Sequence, residues 1–262
     1  MRTRSLVHAG AVAIAALSAR LDAQSLGSRI AAAANGPVNF HFAARPGICG
    51  DGEHFIRTGR SSYHGSFHSG RPMEPCIFGP VQVRVTLENG VAHRVQYWVG
   101  PLRQREGTNL GAVSATEAAR WLMSVAQRGS PSASAKAIMP AVLADSAVVW
   151  PALLEVAKDR DTRSRATRRD AMFWLSRFAS GKVAGHDNDP LFEPDENASA
   201  DEDVKMHAVF VLSQLPRQDG IPALLDLART HPSWRVRSQA MFWLGQSADE
   251  RALELFESVL KS

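Results

Sequence analysis

The sequence predicts a mainly α fold: an α-solenoid preceded by a small disulfide-linked β-unit. Three observations carry that expectation. First, one stretch recurs. Residues 165–179 read RATRRDAMFWLSRFA, residues 202–216 read EDVKMHAVFVLSQLP, and residues 234–248 read WRVRSQAMFWLGQSA. Each begins with a β-branched residue (Thr167, Val204, Val236) followed directly by a cation (Arg168, Lys205, Arg237). An alanine comes three residues later (Ala171, Ala208, Ala240), and then an apolar run with Phe and Leu at fixed places. The copies are spaced by 32 to 37 residues. That is the period of stacked helix pairs, in which no unit buries its apolar face alone. Second, residues 81–99 alternate apolar and polar side chains around Asn89-Gly90, a strong short hairpin signal. Third, Cys49 and Cys76 are the only cysteines and bracket a turn-rich loop. In an exported chain such a pair is most simply a disulfide.

Each helical unit has a first helix as well. Pro151 opens PALLEVAKD and Pro222 opens PALLDLART, and proline suits a helix's first turn because its missing N–H has no partner to lose there. A unit is therefore a helix, a short turn and the repeated helix. The pattern resembles the HEAT-repeat family, in the bacterial form whose second helix carries Val-Arg-x-x-Ala, here Val236-Arg237-x-x-Ala240. The match is best over 219–246, followed by a last helix at 249–260, and nearly as good over 147–178. The middle unit keeps only its second helix. The resemblance implies a protein-contact scaffold rather than a particular partner. It also implies that Arg168, Lys205 and Arg237 bond carboxylates or helix ends in adjacent turns, with Asp159 and Asp201 to Asp203 as partners. An anion-binding ladder is the functional alternative for the same cations.

At 262 residues, with 45% hydrophobic and 21% charged residues, the composition is that of a soluble globular protein. The net charge is +4, with cations scattered among acids, which argues against nucleic acid as a partner. Arg2 and Arg4 precede an apolar run from Leu6 to Ser18, and Leu21-Asp22-Ala23 ends in a small residue. This reads as a secretory signal peptide cut after Ala23, which places the mature protein in the periplasm or outside the cell. Cleavage removes three cations and one acid, so +4 − 3 + 1 leaves +2. No other run is long enough to span a bilayer, so no membrane insertion is expected after cleavage. The expected organisation is a signal peptide at 1–23, a β-rich domain at 24–110 and a helical repeat domain at 111–262.

In chain order, residues 24–36 read as a short helix ending at Asn35-Gly36, and strand signals begin at Val38. Residues 45–52 are turn-rich, and residues 57–75 read as a long loop. Ser114-Ala-Thr-Glu117 has capping-box spacing and opens a helix over 115–128. Helices at 133–144 and 147–159 follow. The pair 115–128 and 134–144 reads as a degenerate unit that caps the stack. Residues 180–201 hold two prolines and eight acids between Asp187 and Asp203, and read as a solvated acidic insertion. A calcium site from Asp187, Asn188 and Asp189 lacks the Gly and terminal Glu of an EF-hand loop.

The sequence points to a non-catalytic exported scaffold that binds another protein or peptide, without metal or cofactor. The alternative is a metal-dependent enzyme with its site in the β-unit around Asp51, His54, His64 and His68. His64 and His68 are four apart, but the glycines around them break any helix that would put them on one face. No nucleophile-elbow or zincin motif is present. Candidate partner contacts are Phe173, Phe210 and Phe242, which occupy one place in the three repeated helices, nearly opposite the Ala–Leu stripe. Stacked units would align them into an exposed apolar ladder.

Overall fold

A computed structural model describes residues 25–33, 35–59, 62–65, 75–193 and 199–262. The expected signal peptide and His68 lie outside these residues. The chain runs α1 (Leu26–Ala31), β1 (Gly36–Phe42), β2 (Ile48–Gly50), β3 (Phe55–Thr58), β4 (Ser62–Gly65), β5 (Ile77–Phe78), β6 (Val81–Glu88), β7 (Val91–Val99) and β8 (Thr108–Ala112). Eight further helices follow: α2 (Ala115–Arg128), α3 (Pro131–Val142), α4 (Trp150–Lys158), α5 (Arg165–Val183), α6 (Ala200–Ser213), α7 (Arg217–Thr230), α8 (Trp234–Ser247) and α9 (Glu250–Lys261).

The β-unit holds two four-stranded sheets, ordered β7-β6-β1-β8 and β4-β3-β2-β5. Asn89 and Gly90 both take positive φ, as the tight turn between β6 and β7 requires. Two corrections to the sequence reading concern this unit. Part of the expected loop at 57–75 is strand: β3 and β4 pair antiparallel from Phe55↔Gly65 to Thr58↔Ser62. Strand β8 was not foreseen; it pairs parallel to β1 at the sheet edge, where its partly exposed TNLGA lacks the alternation that betrays a strand.

Cys49 on β2 lies 5.2 Å (Cα–Cα) from Cys76 beside β5, and the two are bonded across a separation of 27 residues. Closing a loop of that length stabilises the fold by about 3.5 kcal/mol on the chain-entropy model. The unreduced, denatured protein is expected to titrate no free thiol, and replacing both cysteines by serine to lower stability by about that amount. Two titratable thiols per chain would contradict the pairing.

Sheet and helices share one core. Phe40 of β1 meets the Trp121 ring of α2 edge-on at 5.8 Å, and Tyr97 of β7 donates to Met139 Sδ of α3 at 3.2 Å. The helix starts are set locally. Ser114, Ser130, Ser164 and Ser199 each accept a backbone N–H of the following turn. The expected box at Ser114 is half made, because the Glu117 carboxylate turns to the backbone N–H of Leu26 instead. A complete box forms at Ser199 and Glu202. Pro151 sits in the first turn of α4, as expected. Pro222 does not open its helix: α7 begins at Arg217, and Pro222 lies inside it. Within the first turns of α7, Gly220 approaches the Leu212 carbonyl too closely for a side chain.

The repeated helices do not stack in sequence order. Helix α8 lies between α5 and α6. It runs parallel to α6: Arg235 approaches Glu202 at 3.7 Å, and farther along Trp243 meets Phe210 with ring centroids 5.3 Å apart. It runs antiparallel to α5: Ser180 donates to the Ser238 carbonyl at 3.2 Å, and Gly245 packs on Ser176. Helix α9 then lies along α5, with Lys182 Nζ 3.3 Å from the Leu260 carbonyl. Small residues at the crossing make α5 and α8 direct neighbours, so the first and third copies meet face to face.

The acidic insertion is also revised. Residues 184–193 fold back on α5. Arg177 donates to the carbonyls of Pro190 (3.0 Å) and Phe192 (2.8 Å), and Pro190 is buried. Phe192 stacks on His186 at 4.0 Å. A solvated loop would leave these groups to water; two arginines, Arg177 and Arg45, hold its carbonyls instead.

Candidate functional site

The repeated motif places one stripe of side chains on each copy. In α5 it is Thr167, Ala171, Trp174 and Leu175, and in α8 it is Val236, Ala240, Trp243 and Leu244. Thr167, Ala171 and Leu175 are each 0% exposed, as are Ala240 and Leu244, and Val236 is 2% exposed. Each of these helices follows a partner across a short turn, α4 before α5 and α7 before α8, and packs against it.

Among the described residues, no such helix precedes α6. Residues 184–193 follow α5 without forming a helix, and the next described helix is α6 itself. Its stripe is open at Val204, Ala208 and Val211. Val204 is 70% exposed, Val211 48% and Leu215 43%, and Ala208 is exposed between them. Val209, one face over, is buried against the neighbouring helices. At the first two positions of the stripe, residues that are core in two copies are surface in the third, while Leu212, the counterpart of Leu175 and Leu244, is half-buried against the core. An apolar strip of this kind marks a contact surface, because lone exposed side chains are ordinary and a contiguous row is not.

The three phenylalanines are distributed differently from the expected ladder. Phe173 is half-buried against the core and Phe242 is half-buried beside Trp243, while Phe210 is exposed. Because α5 runs opposite to α8, Phe173 does not continue a line through Phe242 and Phe210. The exposed row lies on the alanine side of α6 instead. Its signal was in the sequence: the middle unit lacked its first helix.

Each repeated cation has an intramolecular partner. Arg168 lies 3.8 Å from Glu250 rather than by Asp159, which takes Arg163 at 3.6 Å. Lys205 bonds Asp201 one turn back. Arg237 donates to the carbonyls of His231 (2.8 Å) and Pro232 (3.0 Å), closing the end of α7.

In the β-unit, the structure brings Asp51 and His54 together. Asp51 Oδ2 is 3.0 Å from His54 Nδ1, while Oδ1 accepts the backbone N–H groups of Glu53, His54 and Phe55. The side chain of His64 is not described, and among the described residues no three of His, Cys, Asp and Glu converge. Burial pushes the Asp51 carboxyl up, but its hydrogen bonds outweigh burial and hold it down to about 2. The geometry is that of a turn tied by its own carboxylate. Its folded pKa lies below the ordinary 3.8, so its stabilisation is present above about pH 4 and is lost as pH falls through about 2. Asp51→Asn is expected to cost roughly 2 kcal/mol at pH 7 and almost nothing at pH 2. Denaturation of both proteins at the two pH values checks this; a pH-independent difference would refute it. A cleft of about 640 Å3 between His54, Tyr97 and Lys136 lies beside this turn. Burial, with Asp170 adding to it, raises Tyr97 to about 12, and burial also raises Asp170. The phenol therefore stays protonated and donates to Met139.

Residues 196–262 match a family model described as HEAT repeats. The matched stretch contains α6 to α9, so the helix with the open stripe lies within it. No curated protein and no solved structure matches the chain. Among the described residues, no helix is long and apolar enough to cross a membrane.

Proposed function

We propose that this chain is an exported, non-catalytic scaffold that binds another protein through the open stripe of α6. The single observation that carries the proposal is the contrast between α6 and its two sister helices. Val204 and Ala208 are exposed where Thr167, Ala171, Val236 and Ala240 are core, and among the described residues no helix between α5 and α6 covers them. HEAT repeats are commonly protein-interaction scaffolds, which agrees with this reading. Uncovered apolar area gains free energy when a partner removes it from water, at about 25 cal/mol per Å2. The basic, apolar and small-residue segments of 1–23 support export, with Gln24 as the first residue of the mature chain.

Substituting both Val204→Asp and Val211→Asp tests the contact. Both side chains already face water, so stability is expected to change by less than about 0.5 kcal/mol per site. A protein co-purifying with the native chain is expected to be lost from the variant. Retention of that protein by a folded variant would refute the site. Mass measurement of the exported chain checks cleavage after Ala23 separately.

A further inference from the structure

A cleft of about 480 Å3 lies among α4, α5, α7 and α9, and no residue of α6 lines it. Five arginines do: Arg165, Arg168 and Arg169 at the start of α5, and Arg217 and Arg251 at the starts of α7 and α9. The acids in the lining are Asp249 and Glu250, so its charge is 5 − 2 = +3. Positions i, i+3 and i+4 share one helix face, which turns the three α5 arginines to the same side. The starts of three helices meet here, so their dipoles add to the positive potential. Ala157, Met172 and Leu253 complete the walls, and apolar walls focus the field of the charges between them.

The two acids leave most of this charge unmatched. Asp249 caps α9 and is held by Arg251 through contacts of 2.8 and 3.0 Å. Glu250 is held by Arg160, which does not line the cleft, with Arg168 farther off at 3.8 Å. Backbone carbonyls orient the opposite wall: Arg217 donates to that of Ser247 (2.8 Å) and Arg251 to that of Arg217 (3.3 Å). Arg165 and Arg169 make no hydrogen bond or ion pair among the described residues, and Asp170 acts on Arg169 only from beyond ion-pair distance. The Arg168 side chain is 25% exposed, yet its Nε is buried without an acceptor. A buried donor left unpaired destabilises, and a ligand that accepts from it removes that penalty. The repeat itself does not ask for this charge. Where the first copy has Arg165 and Arg169 around its motif cation, the second has Glu202 and Met206, and the third has Trp234 and Ser238. The same helix forms in those copies without the two flanking arginines, so the repeat's packing does not account for them.

We propose that this cleft binds a compact polyvalent oxyanion, a small molecule carrying two or more phosphoryl or carboxyl groups. Guanidinium forks pair with either group through two parallel hydrogen bonds. Arg165, Arg168 and Arg169 offer one set of donors and Arg217 and Arg251 the facing set, so a ligand with two anionic groups engages both walls and a single group engages one. Its negative charge offsets the +3 of the lining and relieves the repulsion among the arginines. At about 480 Å3 the cleft falls within the range of small-molecule sites, about 300 to 1,000 Å3. The site is independent of the α6 stripe, and the failure of either reading leaves the other in place.

Titration calorimetry on the full chain at low salt tests this with pyrophosphate, citrate and sulfate. Pyrophosphate and citrate are both polyvalent near neutral pH, so the tighter of the two tells whether phosphoryl or carboxyl groups are preferred. That probe is expected to bind about tenfold or more tighter than sulfate, with the gap closing at about 1 M salt. Combining Arg165→Ala with Arg169→Ala should weaken it by about tenfold or more. Neither side chain is bonded to the rest of the fold, so the variant's melting temperature without ligand is expected to match that of the native chain, and only the native chain should melt higher when the probe is added. Arg120→Ala with Arg128→Ala removes the same charge from exposed positions of α2 and is expected to change the affinity by less than about twofold. The proposal is overturned if the folded native chain binds neither polyvalent probe, or binds them no tighter than sulfate. Equal weakening by the two arginine pairs also overturns it, because net charge rather than the cleft would then be drawing the anion.

Discussion

Replacing Arg45 by Met is expected to destabilise the protein by roughly 4 kcal/mol, because one buried guanidinium serves three carbonyls. Arg45 follows β1 in the β-unit and is 9% exposed. Its Nε donates to the Val142 carbonyl at the end of α3 (2.7 Å), one terminal nitrogen donates to the Asn188 carbonyl (2.9 Å), and the other to Ala147. The ring of Phe178 on α5 lies 6.0 Å away. Burial lowers the Arg45 pKa, while Asp189 and Asp145 pull it back up, so the charge is retained in a site that compensates it. A single side chain thus joins the sheet, the end of α3, the approach to α4 and the folded-back insertion. Met fills similar volume but leaves the Val142 and Asn188 carbonyls without this donor. Lys cannot reach three separate acceptors with the fork of a guanidinium, so Arg45→Lys is expected to recover less than half of the loss. Urea denaturation followed at two wavelengths measures both effects. A loss below about 1 kcal/mol would show that these carbonyls find other donors.

The same residue explains what could be read from the sequence and what could not. Signals confined to a few neighbours were legible. Asn89-Gly90 fixed the hairpin, Ser114 marked the start of α2, and the three motif copies located α5, α6 and α8. That the middle unit keeps only its second helix was legible too, and among the described residues no helix between α5 and α6 covers that face, which became the candidate site. Features decided by residues far apart in the chain were not. The fold-back of 184–193 depends on Arg45, whose role no local pattern announces. Strand β8 is defined by its pairing with β1 rather than by its own composition. The spatial order of the repeated helices depends on which faces approach most closely, and that is a matter of single small side chains. Periodicity reports that a helix has an apolar face without reporting which other helix covers it.

Gly245 is the small side chain that decides the order. It lies where α8 crosses α5, and a Cβ built on it would overlap both the Oγ and the Cβ of Ser176. Ser176 is fully buried and donates to the Phe173 carbonyl at 2.7 Å, so it has little room to withdraw. Met172 and Met241 are buried on the two helices, and the Met172 carbonyl lies 3.4 Å from the same built atom. Gly245→Val therefore forces the helices apart along the contact that brings the first and third motif copies together. The expected loss is roughly 4 kcal/mol, at the upper end for overpacking, since a β-branched side chain enters where even a methyl group does not fit. Helix propensity acts in the opposite direction by only a few tenths of a kcal/mol, so the sign is not in doubt. Ser176→Gly in the same chain removes the atoms that Val would meet. The double variant is expected to recover about half of the loss, and the non-additivity in a double-mutant cycle measures the contact itself. If Gly245→Val is as stable as the native chain, or if the two substitutions simply add, α8 does not cross α5 at these residues. The face-to-face packing of the two copies would then fall, and with it the reason that α6 lies outside the pair formed by α5 and α8.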